Sequence, residues 1–163
     1  MIVKCMERLI KGAQAHYFVL PTFPDISATP RFNQADASEK ESLKRMIDQH
    51  NQQLQEKLAP LVRDYGIVLI PTNLQGILED LSKNPTHYQI ENTNTACYTG
   101  GSTIFESAGT ICEDPEHTLF WDDIHPSATA HCIIGRRAFS DVSQRIGHYS
   151  ITPDFSGCHT SFR

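Results

Sequence analysis

The 163 residues are as informative for what they lack as for what they hold. No apolar run approaches the ~20 residues needed to span a bilayer; the longest, "HYFVLP" and "GIVLIP", suit short buried strands. Positive charge is sparse and scattered: Lys and Arg total 14 and the net charge is -5. A nucleic-acid groove needs clustered positive charge, so no nucleic-acid partner is expected. The opening "MIVKCMERLIKGAQ" carries charges where a signal peptide would need an unbroken apolar stretch, so no secretion signal is expected within these residues. None of the five cysteines forms a C-x-x-C pair, which argues against a zinc ribbon. No internal repeat is present, and the length suits one domain.

Organised signal remains. Val3, Met6, Leu9 and Ile10 recur at helical spacing in a segment that Gly12 is expected to end. "AHYFVLP" reads as a strand stopped by Pro21, and "PTFPDISATPRFNQADA" as a long, proline-rich surface connection. Ser38 and Glu41 match a capping box. After them Leu43, Met46, Ile47, His50, Leu54, Leu58, Leu61 and Val62 trace one face of a long amphipathic helix, ended by Gly66 in the left-handed conformation. "IVLI" is a second strand. Leu74, Ile77, Leu78 and Leu81 define a further helix, stopped at Asn84-Pro85. From Tyr88 to His117 the chain is polar and reads as loop. Pro126 is expected at the first position of a last helix carrying Ala128, Ala130, Ile133, Ile134 and Phe139, and residues 146–163 form a tail.

Strands alternating with helices indicate an α/β fold with parallel pairing. Two strands are few for such a sheet, and at least one bare strand edge is expected. Cys97 and Cys112 bracket a Gly/Ser/Thr-rich loop; a disulfide there would remove about 3 kcal/mol of unfolded-state entropy and would imply an oxidising compartment. Two unrelated thiols are the plain alternative. The pairing of Cys5, Cys132 and Cys158 stays open.

The chemistry concentrates in "LFWDDIHPSATAH", residues 119–131. Imidazole serves as a general base when one nitrogen is held protonated by a carboxylate. Asp122 lies three residues before His125 and can fold back to it in a turn, whereas Asp123 lies two before, so spacing favours Asp122. Two other readings compete: a surface Asp–His hydrogen bond, and a metal site using His125, His131 and an aspartate. A six-residue gap on a helix sets the two histidines on different faces, against the metal site. Phe120 and Trp121 are expected as core or pocket wall.

This block resembles the last block of the GDSL, or SGNH, family of serine esterases and lipases, which reads Trp-Asp-x-x-His-Pro-Thr before a helix with a further His. "GAQAHYFVLPTFPDISATP", "NQQLQEKLAPL" and "LEDLSKNPTHYQIENTNTAC" are similar to preceding family segments, in family order over residues 1–135. The resemblance implies that Asp122 is the triad acid, His125 the triad base and Asp123 a bystander, with Ser127 replacing the usual Thr. It implies a partial SGNH-hydrolase fold, flavodoxin-like and three-layered, holding the last two of about five parallel strands. Residues 1–163 would be one incomplete domain. No cofactor is implied. The substrate would be a lipid or small ester, and the nearest flavour is the bacterial phospholipase, lysophospholipase and haemolysin branch. Export to the periplasm or outside the cell follows by family; the cytoplasm is the alternative.

The family's Gly-Asp-Ser-Leu nucleophile block is absent from these residues, as are its second-block Gly and third-block Gly-x-Asn-Asp, which complete the oxyanion hole. Ser102, in "TGGSTIF", lacks the strand-turn-helix setting of a nucleophile elbow. The expectation is therefore an ester hydrolase carrying only the Asp-His part of its triad, inactive in isolation. A truncated remnant, a binding module, or half of a split enzyme completed in trans are the alternatives.

Overall fold

The computed structural model describes residues 1–102, 109–147 and 150–159. Helix α1 (Ile2–Ala13) leads into strand β1 (Tyr17–Pro21). The proline-rich connection then makes two single 3-10 turns, Ile26–Ala28 and Pro30–Phe32, before the long helix α2 (Ala37–Tyr65). Strand β2 (Val68–Thr72) and helix α3 (Leu74–Lys83) follow, then strands β3 (Asn92–Ala96) and β4 (Thr118–Phe120), and helix α4 (Ala128–Ile146). A last 3-10 turn covers Ser156–His159.

The expected parallel pair is present: β1 lies beside β2 with Tyr17 opposite Val68 and Pro21 opposite Thr72. A crossover of this kind needs a long connection, and α2 supplies it. Among the described residues β1 has no second strand neighbour, so its far edge is bare. The polar segment 88–117 corrects the loop reading: Asn92–Ala96 forms β3, parallel to β4, with a bulge between the paired ends Asn92–Thr118 and Ala96–Phe120. The strand "NTNTA" has no apolar alternation to announce it; it is held by pairing with the fully buried β4 rather than by its own propensity.

The helix boundaries show which local signals win. α1 ends not at Gly12 but at Ala13, and the cap residue Gln14 takes the left-handed conformation (φ 54°) and donates its N–H to Leu9 O. α2 starts earlier than Ser38. Asp36 is extended, its carboxylate accepts the Glu39 N–H at 2.9 Å, and Glu39 accepts the Asp36 N–H at 3.2 Å. The same box chemistry is satisfied two residues upstream by Asp in place of Ser, with the added pull of a negative charge on the helix N-terminus. Gly66 closes α2 at φ 61°, as expected. Pro126 stands just outside α4: Ser127 is the cap residue, accepting the Ala130 N–H at 3.1 Å.

Two cores result. One joins Met6 of α1, Leu58 and Leu61 of α2, and Ile67. The other joins Leu81, Tyr88, Ile90, Leu119, Phe120, Ala130, Ile133 and Cys158. Burying each such aliphatic side chain contributes about 1.5–3 kcal/mol. Phe139, expected on the α4 face, is exposed, as is Met46 of α2. Asn51 adds a polar clamp: its amide accepts the Phe23 N–H at 2.8 Å and donates to Phe23 O at 2.9 Å, pinning the proline-rich connection to α2.

Candidate active site

β4 ends at Phe120, in the floor of the second core, and the chain turns sharply before α4 begins. Two backbone bonds hold that turn: Trp121 N–H donates to His125 O at 2.8 Å and Ser127 N–H to Leu119 O at 2.8 Å, which together make Phe120 and Pro126 an antiparallel bridge. Inside the turn Asp122 is buried and saturated. Its Oδ1 accepts the Ile124 N–H at 2.9 Å and the His125 N–H at 2.7 Å, and its Oδ2 lies 2.8 Å from His125 Nδ1.

Burial alone would push the Asp122 carboxyl up. The His125 and Ile124 amides, together with the imidazole, outweigh it and hold the carboxyl below its usual range, so it is a carboxylate at neutral pH. A carboxylate at Nδ1 fixes the tautomer with the proton on that nitrogen. Nε2 then carries the free lone pair, with no hydrogen bond among the described residues. The His125 side chain is 60% exposed, while that of Asp122 is 7% exposed. The arrangement is a buried acid aiming an accessible base.

Asp123 points elsewhere. Arg31 grips it in a bidentate pair, Nε to Oδ2 at 2.8 Å and Nη2 to Oδ1 at 3.1 Å, and the Arg31 N–H donates to Asp123 O at 2.8 Å. Arg31 is the main reason the Asp123 carboxyl lies below its usual range. The residue called a bystander from the resemblance therefore ties the proline-rich connection to the turn. The signal for that role, an Arg 92 positions away, is invisible along the chain.

The Cys97–Cys112 disulfide is formed, with an S–S distance of 2.06 Å. It is anchored to the same turn: Cys97 N–H donates to Phe120 O and Tyr98 N–H to Trp121 O, and the Tyr98 and Trp121 rings stack at 5.5 Å. A second disulfide, Cys132–Cys158, fastens the segment after α4 onto that helix, and Cys5 is free. Ser102 accepts a hydrogen bond from Arg31. The last three residues of its motif, 103–105, lie outside the described residues. His131 Nδ1 is taken by Ser127 O at 3.0 Å, which turns it away from any shared role with His125. Among the described residues no three His, Cys, Asp or Glu side chains cluster as metal ligands.

An Asp–His relay placed after a strand and before a helix of an α/β sheet is the arrangement of hydrolases that use an activated nucleophile. The comparison with known families is specific. The model of the GDSL-like lipase/acylhydrolase family matches residues 4–138, and the chain belongs to that family. Three GDSL esterases/lipases of Arabidopsis thaliana are similar to it. One is 31% identical over 110 residues, covering 60% of this chain and 31% of the relative. A second is 35% identical over 72 residues, covering 42% and 20%. A third is 25% identical over 150 residues, covering 86% and 42%. The chain thus spans less than half the length of these relatives. Their names go no further than esterase/lipase, and none of the three belongs to the bacterial phospholipase branch of the sequence reading. Family membership and the α/β architecture both agree with the sequence reading.

Proposed function

We propose that these residues form the C-terminal part of a single GDSL-type ester hydrolase domain, in which Asp122 and His125 are the acid and base of a Ser-His-Asp triad. The observation that carries the reading is the Asp122 carboxylate, buried and fixed by two backbone amides, at 2.8 Å from His125 Nδ1 while the rest of the imidazole faces solvent. The nucleophile is a serine outside the 163 residues, in the same polypeptide or in a second one. In the assembled site His125 Nε2 takes the serine proton as the hydroxyl attacks the ester carbonyl, and returns it to the leaving alcohol. Asp122 stabilises the imidazolium formed between those steps. Backbone donors contributed by the absent blocks stabilise the oxyanion.

Lipid esters, lysophospholipids among them, or small esters are the proposed substrates. Two disulfides favour an oxidising compartment, the periplasm or the cell exterior. Among the described residues no helix is long and apolar enough to cross a membrane. The bare edge of β1 supports completion by further strands.

The test is complementation. The chain alone is expected to leave p-nitrophenyl esters unhydrolysed and a fluorophosphonate probe unbound. Co-expression with a Gly-Asp-Ser-Leu-containing segment from one of the relatives is expected to restore both, and His125→Ala to abolish the turnover. Turnover by the chain alone, removed by His125→Ala, would show that the serine lies within it. Failure of any such segment to co-purify would favour the remnant or binding-module reading.

A further inference from the structure

The relay turn is held from outside as well as from within. Two arms of a short hairpin, residues 97–102 and 109–112, lie against it. Cys112 N–H donates to Cys97 O at 2.8 Å and Thr99 N–H to Thr110 O at 3.0 Å, and the Cys97–Cys112 disulfide closes the base. The first arm grips the turn. Cys97 and Tyr98 donate their N–H groups to Phe120 O and Trp121 O, and the Tyr98 and Trp121 rings lie 9° from parallel. At the far end Arg31 Nη2 donates to both Ser102 Oγ and Asp123 Oδ1. Phe120, Trp121 and Asp123 are thus tied to the hairpin, directly or through Arg31, and Asp122 and His125 are their neighbours along the chain.

The two arms have little of their own to keep them together. Their described residues are mostly Gly, Ser and Thr, and Ile111 is exposed. A two-stranded hairpin by itself is marginal in water. Its fit is close all the same: a Cβ on Gly109 would lie 2.5 Å from Gly100 Cα and 2.6 Å from Tyr98 Cε2. Seating Tyr98 on Trp121 therefore needs both arms in place, and the covalent tie is what keeps them there. The other disulfide is placed differently, joining α4 to the turn Ser156–His159.

We propose that the Cys97–Cys112 pair is a thiol–disulfide switch for the relay, so that His125 is held to Asp122 through Nδ1 only in the oxidised chain. The inference rests on the hydrolase reading for its consequence in turnover, not for the switch itself. In the reduced chain the arms part, Tyr98 leaves Trp121, and Arg31 and Asp123 lose Ser102. The turn keeps its own bonds but not its fixed place, and the exposed imidazole exchanges between carboxylate and water. Oxidation by a small disulfide such as oxidised glutathione reverses this. Two cysteine thiols become one S–S bond; the glutathione disulfide takes up the two electrons and the two protons and departs as two thiols. The relay is thereby set once the chain meets an oxidising compartment.

Nitrogen-15 NMR of the histidine-labelled chain at about pH 8, where an ordinary imidazole is neutral, tests this without any turnover. It reads the tautomer of His125, assigned by the signals that His125→Ala removes. The triple variant Cys5→Ser/Cys132→Ser/Cys158→Ser keeps the 97–112 pair alone. In it His125 is expected as the Nδ1–H tautomer. Dithiothreitol is expected to convert that to the exchanging mixture of an unheld imidazole, and oxidised glutathione to bring the single tautomer back, with the α4 amide resonances in place throughout. Gly109→Ala, with both disulfides intact, is expected to give the same mixture by forcing Tyr98 aside. Should the triple variant fail to fold, Gly109→Ala and Cys97→Ser/Cys112→Ser in the parent chain still decide. The proposal fails if the folded, reduced chain or folded Gly109→Ala keeps the Nδ1–H tautomer, or if Cys132→Ser/Cys158→Ser disturbs it as much as Cys97→Ser/Cys112→Ser does. In the complemented enzyme reduction is expected to lower kcat at least tenfold with KM within twofold, and an unchanged kcat overturns the switch. A tautomer that follows the disulfide in a chain that no segment complements keeps the switch and removes the hydrolase reading.

Discussion

Around β1 and β2 the buried core is small and one-sided. Met6, Leu58, Leu61 and Ile67 fill it, but Tyr17 and Val19 on the other face of β1 are 58% and 50% exposed. Around β3 and β4 eight buried residues pack between α3 and α4, and two disulfides close the periphery. In the second region β3 is more polar and β4 shorter than the strands of the first, yet that region is the more closed. It carries the Asp122–His125 relay, whose geometry depends on β4, the Cys97–Cys112 loop and the start of α4 together. The first region is a sheet with a free edge, and parallel sheets are ordinarily covered on both faces and paired along their length. The proposed acid and base sit on the part that is the more closed; the part that is open is where, on the same proposal, further strands would add.

The contrast can be broken most severely at the relay. In the complemented enzyme Asp122→Asn is expected to lower kcat about 10⁴-fold, because the imidazole loses its tautomer partner. Asp123→Asn, one residue on, should change kcat far less; parity between the two in steady-state kinetics would overturn the assignment. Packing gives the next largest effect. Leu119→Ala should cost about 2–5 kcal/mol in urea unfolding, whereas Val19→Ala on the open face of β1 should stay within about 0.5 kcal/mol.

The disulfides sharpen the same comparison. Replacing Cys132 and Cys158, 26 residues apart, by serine is expected to cost about 3.5 kcal/mol, and the Cys97–Cys112 pair, 15 apart, about 3 kcal/mol, by loop-closure entropy. Cys5→Ser, in the first region, should leave the unfolding midpoint in place.

Acid should act on the second region first. The Asp122 and Asp123 carboxyls are held below their unfolded values, so the folded state binds fewer protons there than the unfolded chain does. That contribution is complete above the unfolded carboxylate range near pH 4 and is lost as pH falls through the folded values. Melting curves from pH 6 down to pH 3 should therefore fall, and fall less steeply in Asp122→Asn. A small effect is expected of Arg31→Ala. With side chains 36% and 37% exposed, the Arg31–Asp123 pair should contribute under about 1 kcal/mol, and its loss should be masked in molar salt.

Much of this arrangement is legible along the chain because it is local. The three-residue reach from Asp122 to His125 is set by the turn itself, and Gly66 needs only its own positive φ. The misread boundaries are also local, but there two signals competed. Asp36 could begin the same helix as Ser38, Gln14 could end α1 as well as Gly12, and packing chose. β3 escaped because Asn92–Ala96 has no period of its own; its strand conformation comes from Phe120 and Thr118 across the ladder. Asn51 and Arg31 escaped because a polar side chain in an exposed pattern looks solvated until its partner, 28 or 92 residues away, is placed beside it.

What the sequence determined by itself is whatever a few residues can enforce on one another: the Asp122–His125 contact, the helix faces, the two apolar strands and the order of family motifs. Tertiary structure decided the rest. It chose Cys132 and Cys158 as partners while Cys5 stayed free, turned Asp123 toward Arg31, and left a cavity between Leu78 and Ile134 beside the relay. Those outcomes depend on how helices and strands stack after distant segments meet. Contacts over such separations are fixed by the packing of the whole core, which no short stretch of chain encodes.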